Sequence, residues 1–199
     1  MKKLKRFKIA RRLGAPIFEK TQSSKFSLTQ TKKTKRPPKL SEYAKQLLEK
    51  QKARFTYGMS ERQFSTYVKK ACAVKADKSV GELFKLLESR LDNVVYRSGI
   101  AKSRESARQI VTHGHITING KKLNIPSHQI KVGDVIGIRP SSKSKVLFND
   151  VVDRMNTGRV MPWIKPNPET VSTEIMSVPN IKGIDLLFNI NSVIEFYNR

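Results

Sequence analysis

Three apolar stripes at helical spacing follow one another between Ser41 and Ser89. Ala44, Leu47, Leu48 and Phe55 recur on one face, which Gly58 closes. Ser60-Glu61-Arg62-Gln63 reads as a capping box ahead of Phe64, Tyr67, Val68 and Ala71, and Ser79-Val80-Gly81-Glu82 as another ahead of Leu83, Leu87 and Leu91. Segments this short are marginal as isolated helices, so each must bury its stripe against a neighbour.

From Arg90 to Pro140 the pattern predicts two short helices and a small antiparallel sheet. Leu91, Val94 and Val95 stand at i, i+3 and i+4, which puts Arg90, Asn93 and Arg97 on a different, charge-bearing face of the same turns. After Gly99, Ser103 is an N-cap and Glu105 sits where the helix dipole favours an acid. Ala107, Ile110 and Val111 repeat the apolar spacing until Gly114 stops the helix. Arg104 and Arg108 share one side of it, with Lys102 at its mouth. The period then changes to two. Ile116 and Ile118 point one way, Asn119-Gly120 is a preferred type I′ hairpin pair, and Lys121 to Ile125 returns until Pro126 ends it. A turn over Lys131 to Asp134 leads into Val135, Ile136 and Ile138 as the closing strand.

The flanks read differently. Residues 1–39 hold fourteen basic residues against the single acid Glu19, and the run from Thr31 to Lys39 cannot build a core, so an extended arm is expected. Gly14 and Pro16 mark a turn before Ile17 and Phe18, candidates for an anchor. An acid-free amphipathic targeting peptide is the rival for Met1 to Arg12; the lack of Ser and of a small-residue cleavage site favours an RNA-binding arm. From Asp150 to Arg199 the balance inverts to five basic residues against six acids. Pro162, Pro166 and Pro168 are expected to keep 160–170 out of regular structure, with Trp163 tucked against a neighbour. Ile190, Val193, Ile194 and Tyr197 make a last helical stripe that must dock to persist.

Charge decides the class of partner. With 40 Lys and Arg against 16 Asp and Glu in 199 residues, the formal charge is +24. Such a chain repels itself unless a polyanion screens it, and nucleic acid is the default partner. A membrane surface ranks below, since no long apolar span or basic amphipathic helix with an aromatic face occurs. Cys72 alone can form neither an internal disulfide nor a Cys-rich zinc site, and packing is its expected role. His113, His115 and His128 lack a ligand cluster, so no metal or cofactor is implied, and they are read as structural or RNA-facing. No Gly-rich phosphate loop, Ser-His-Asp set or paired-carboxylate site stands out.

The order helix, basic helix, hairpin across Arg90 to Pro140 closely resembles the alpha-L RNA-binding motif of ribosomal and RNA-modifying proteins; the bland alternative is a small α+β core with solvated arginines. Taken with SEYAKQLLEKQKARFTYGMSERQF, LLESRLDNVVYRSG, SARQIVTHGHITINGKKLNIPS and SVIEFYNR, the whole order resembles the bacterial and organellar form of small-subunit ribosomal protein four. The resemblance covers about 41–140 and the last ten residues, and is weak from Ser141 to Asn189.

It implies an α+β fold. A basic extended arm spans 1–40, a helical domain spans 41–89 with 185–199, an alpha-L module is inserted over 90–140, and a loop-rich extension over 141–184 packs on that module. It also implies a structural, non-enzymatic protein of the small ribosomal subunit. Such a protein binds a multi-helix junction in the 5′ domain of small-subunit ribosomal RNA early in assembly, touches neighbouring ribosomal proteins and borders the path by which messenger RNA enters. By position, the implied RNA contacts are Arg90, Arg97, Lys102, Arg104, Arg108, His113, His115, Lys121 and Lys122, with Arg11, Arg12, Lys35 and Arg36 from the arm. Arginine forks match phosphate oxygens and stack on bases, while lysines supply mobile charge. The N-terminal cysteines that bind zinc in some relatives are missing. Lys, Asn and Ile usage suggests an AT-rich genome and an organelle such as a plastid, with bacterial cytoplasm as the alternative. Two rivals come from other classes. One is a free RNA-binding stress or ribosome-rescue factor; the other is a pseudouridine synthase, because Arg90-Leu91-Asp92 resembles the segment around that catalytic aspartate, although the 59 residues after Pro140 cannot house the catalytic domain.

Overall fold

The computed structural model describes residues 5–23, 40–74, 78–157, 161–181 and 183–198. The chain divides into two compact units, one of residues 1–80 with 183–199 and one of 81–182.

The first unit is helical. Its helices are α1 (Arg6–Leu13), α2 (Glu42–Thr56), α3 (Glu61–Cys72) and the C-terminal Ile190–Tyr197, which packs on both α2 and α3. Ser41 and Ser60 cap α2 and α3, accepting from the Ala44 and Gln63 N–H groups. Phe64, Val68 and Ala71 are buried as their spacing predicts, and so are Ile190, Val193 and Ile194. The inward face of α2 differs from its apolar stripe: Gln46, Lys50 and Ala53 are its buried residues, and Ala44, Leu47 and Leu48 are only half-buried. The polar ones are partnered. Gln46 Nε2 donates to Glu195 at 3.1 Å, and Lys50 Nζ bonds Glu61 at 2.7 Å while lying 4.6 Å over the Phe196 ring.

Part of the expected extended arm is folded. Residues 6–13 form α1, which Gly14 ends with φ at +69°. Leu13, Ala15 and Ile17 then bury against Phe18, Leu48 and Phe55, and it is this packing, with no capping side chain at Lys5, that holds the turn of helix in place. Thr31 to Lys39 lies outside the described residues.

In the second unit α4 (Ser79–Glu88), which begins at the boundary, is followed by α5 (Leu91–Arg97) and α6 (Arg104–Thr112). Ser79 lies within α4, so the helix starts a residue earlier than a capping box there would place it. Ser103 caps α6, and Ala107, Ile110 and Val111 bury its apolar face. The sheet strands are β1 (Ile116–Ile118), β2 (Lys121–Lys122), β3 (Val135–Ile138), β4 (Ile164–Asn167) and β5 (Ser172–Ile175), antiparallel in the order β2-β1-β3-β5-β4. Asn119 and Gly120 both have positive φ, as a type I′ hairpin demands, and set Thr117 opposite Lys122. The return strand is shorter than Lys121 to Ile125.

Strand β4 lies within 160–170, expected to be irregular, and β5 follows it in the extension expected to be loop-rich. Pro166 lies in β4, and β4 is the sheet edge, where a residue without an N–H breaks no ladder on its outer side. Trp163 is buried beside it, edge-on to Phe84 at 5.9 Å. A helix over Val151–Thr157, α7, precedes them; the C-terminal helix is therefore α8. No described helix is long and apolar enough to cross a membrane.

Candidate nucleic-acid interface

Two buried acids organise the basic helices of the second unit. Glu88 ends α4 with no exposed surface, and its carboxylate accepts from Arg97 Nε and Nη2 at 3.0 and 2.9 Å and from Asn93 Nδ2 at 2.8 Å. Asn93 presents its Oδ1 to Arg104 Nε at 2.8 Å, so one carboxylate and one amide tie α5 to α6. The Arg104 guanidinium also lies 4.5 Å over the Tyr96 ring. Asp92 grips Arg90 with two bonds of 3.0 and 2.6 Å, and stands 3.9 Å from Arg108 Nε.

Backbone hydrogen bonds hold the junction of α4 and α5 still. Leu91 and Asp92 donate to the carbonyls of His128 and Pro126, and Ile130 donates to that of Ser89. A charge taken from water is tolerated only when paired and hydrogen-bonded, and the side-chain bonds of Glu88 with Arg97 and of Asp92 with Arg90 meet that requirement.

Arg90 is corrected by the structure: expected at the RNA, it has no exposed surface and serves as the counter-ion of Asp92. Asn93, which its spacing sets with Arg90 on the charge-bearing face, is likewise buried. Arg97 keeps 16% of its side chain exposed and Arg108 34%, with Arg104 half-buried. These three are brought together through Glu88, Asn93 and Asp92. Lys102 is exposed and pairs with Asp150 at 3.3 Å.

A second group surrounds the helix end at Gly114. His113 is exposed and His115 half-buried, their rings 6.1 Å apart, and Lys121 and Lys122 are exposed on β2. Burial, then the charges of Lys145, His113, Arg139 and Lys122, hold the His115 imidazole below its ordinary pKa. Arg11 and Arg12 are exposed on α1 of the first unit, while Lys35 and Arg36 lie outside the described residues.

Sequence patterning missed Glu88, Asp92 and Asn93 as the groups that aim the arginines. The available signal is a pair of acids four residues apart, Glu88 and Asp92, with Arg90 between them. Arg139 and Lys145, which no motif marks, also act on the His115 imidazole. Among the described residues no group of His, Cys, Asp and Glu could hold a metal ion.

Two families of known proteins match the chain in succession. The S4 domain family matches residues 89–136, and the ribosomal protein S4/S9 N-terminal domain family matches residues 2–88. Relatives named small ribosomal subunit protein uS4 match across nearly the whole length. That of Roseiflexus sp. (strain RS-1) is 41% identical over 198 residues, covering 96% of each chain. Those of Roseiflexus castenholzii and Christiangramia forsetii are 42% and 43% identical, again with 96% of each chain covered.

Proposed function

The chain belongs to the uS4 family of small ribosomal subunit proteins, and from that premise we propose that it is a structural constituent of the small subunit, binding small-subunit ribosomal RNA through the arginines of α5 and α6. The observation that carries the mechanism is the network in which Glu88 and Asn93 fix Arg97 and Arg104 in orientation, with Arg108 3.9 Å from the Asp92 carboxylate beside them. A guanidinium fixed before contact loses less side-chain freedom on binding. The surrounding excess of positive charge supplies the long-range attraction and the release of counterions. A multi-helix junction is the RNA element such a surface fits, since phosphates from several helices converge there. Neighbouring ribosomal proteins and a place beside the incoming messenger complete the reading.

Return of α8 to α2 and α3 supports an arrangement in which the alpha-L module interrupts a helical domain begun before it. An enzymatic role draws no support from Asp92, which is buried and bound by Arg90. For the compartment, Lys, Asn and Ile usage favours a plastid ribosome, whereas the relatives above are bacterial and favour bacterial cytoplasm; sequencing the ribosomal RNA that copurifies decides between them.

The test is a salt titration of binding to a 5′-domain fragment of small-subunit ribosomal RNA. Each phosphate neutralised adds about 0.7 to 0.9 to the slope of log affinity against log salt. Arg104→Ala/Arg108→Ala should weaken binding by about 2 to 5 kcal/mol, taking about 1.5 to 3 kcal/mol per charged hydrogen bond with imperfect additivity. A slope near zero for the intact chain would refute the reading.

A further inference from the structure

Some cations of the second unit lie outside the arginine network, and several gather at His115. Its Nδ1 lies 2.9 Å from Ser142 Oγ, and its backbone carbonyl accepts from the Arg139 N–H at 2.8 Å. Two short 3-10 turns, Pro140–Ser142 and Val146–Phe148, fold the following segment against the imidazole. Ser142 and Phe148 are buried, with the Phe148 ring edge-on to His115 at 5.9 Å, while Arg139 and Lys145 remain exposed.

Lys122 approaches from the hairpin. A Cβ added at Gly114 would meet the far end of the Lys122 side chain, which places the lysine stem across the end of α6. After burial, the groups whose positive charge depresses the imidazole's pKa are Lys145, His113, Arg139 and Lys122. Lys143 is different. Its Nζ donates to the Thr170 carbonyl at 3.3 Å, and it is not among those charges.

Holding cations around a half-buried ring raises the energy of the isolated protein, and a polyanion relieves it. We propose that Arg139, Lys145, Lys122 and His115 form a second RNA contact, separate from the α5–α6 arginines, that takes adjoining phosphodiesters of the RNA backbone. This rests on the RNA-binding reading above. It assigns Arg139 and Lys145, which no motif marks, to phosphate contact. It also makes His115 a reporter. In the unbound protein the imidazole is held neutral, a preference that adds to stability above the ordinary histidine pKa and is lost as pH falls through the lowered one. A phosphate placed among these cations offsets them, so binding raises the His115 pKa and takes up a proton.

The experiment compares the intact chain, Arg139→Ala/Lys145→Ala, Arg139→Lys/Lys145→Arg and Lys143→Ala, all bound to the same 5′-domain fragment across a salt series. Both altered residues are exposed, and fluorescence of Trp163 reports that the fold is kept. The double Ala variant should lose about 1.4 to 1.8 from the log-log salt slope, two phosphates' worth. The charge-preserving double variant should restore it, and Lys143→Ala should change it by less than about half of one phosphate's share. In the intact chain NMR titration should show the His115 pKa rising on RNA binding. An unchanged slope in the double Ala variant, or a His115 pKa that does not rise, overturns the second contact while leaving the ribosomal reading intact. Salt-independent binding by the intact chain overturns the ribosomal reading itself.

Discussion

Replacing Asp92 by Ala tests whether the buried acids hold the basic module together. Arg90 has no exposed surface, and a guanidinium cannot escape by losing its proton. Without Asp92 it loses two hydrogen bonds, of 3.0 and 2.6 Å, and keeps its charge in the interior. Breaking a buried pair from one side typically costs about 3 to 5 kcal/mol, against about 0 to 1 kcal/mol for an exposed pair such as Lys102–Asp150. Urea denaturation followed by fluorescence reads the right unit, because Trp163 is the only tryptophan and is buried within residues 81–182. With a denaturant slope of about 1 to 3 kcal/mol per molar, Asp92→Ala should lower the midpoint by about 1 M or more. Asp150→Ala should scarcely move it. Arg90→Met/Asp92→Leu should recover most of the loss, since exchanging both members of a buried pair for apolar residues is often neutral. A cost under about 1 kcal/mol for Asp92→Ala, or a double variant no better than the single, would refute the reasoning.

Three further outcomes are expected. Burial pulls the Glu61 carboxyl upward, but hydrogen bonds from Lys50 and Tyr197, with the charges of Lys50 and Arg54, outweigh it and leave the pKa below the ordinary 4.5. The stability this provides is present above the unfolded value and lost as pH falls through the lowered one, so Glu61→Gln should flatten the acid dependence of hydrogen-exchange protection in α2 and α3. Ile194→Ala, at a buried position of α8, should cost about 2 to 5 kcal/mol and reduce that protection in α2 and α3 far more than in α6; equal losses in both would contradict the packing. Gly99→Ala should lower the melting temperature of the second unit, because φ is +83° and the new Cβ would stand 2.9 Å from the Arg154 carbonyl oxygen; left-handed geometry alone costs about 1 to 2 kcal/mol. A melting temperature equal to that of the unaltered chain would count against this close approach.

Where a structure is specified by residues close in sequence, it could be read before folding. The Ser103 cap, the Ala107-Ile110-Val111 face and the Asn119-Gly120 hairpin are of this kind, and each carries its own geometry within a few residues. What could not be read depends on partners further away or on another element. Arg90, Asn93 and Arg97 look like a solvated face because a charged residue is ordinarily outside; only the fold brings the Glu88 carboxylate of the preceding helix beneath Asn93 and Arg97. Lys50 is buried for the same reason, with Glu61 of the next helix and the Phe196 ring against it. Local rules also condemn Pro166 as a strand residue, yet they cannot tell an edge from a centre, and β4 is an edge.

Among the candidate RNA-contact residues the same division separates two kinds of charge. Acids are scarce in this chain, 16 against 40 bases, and two of them lie buried beneath α5 and α6 rather than on the surface above. An exposed acid would cancel part of the field that draws RNA in, whereas a buried one is neutralised by its arginine partners and sets their direction. Removing surface lysines such as Lys121 should therefore act mainly through association rate and salt dependence, as distant charges do. Removing Glu88 should act through dissociation, since Arg97 and Asn93 lose their common anchor and Arg104 its fixed amide. Stopped-flow association and competition-chased dissociation of the two variants separate the cases, and equal effects on both rates in both variants would show that orientation and attraction are not divided in this way.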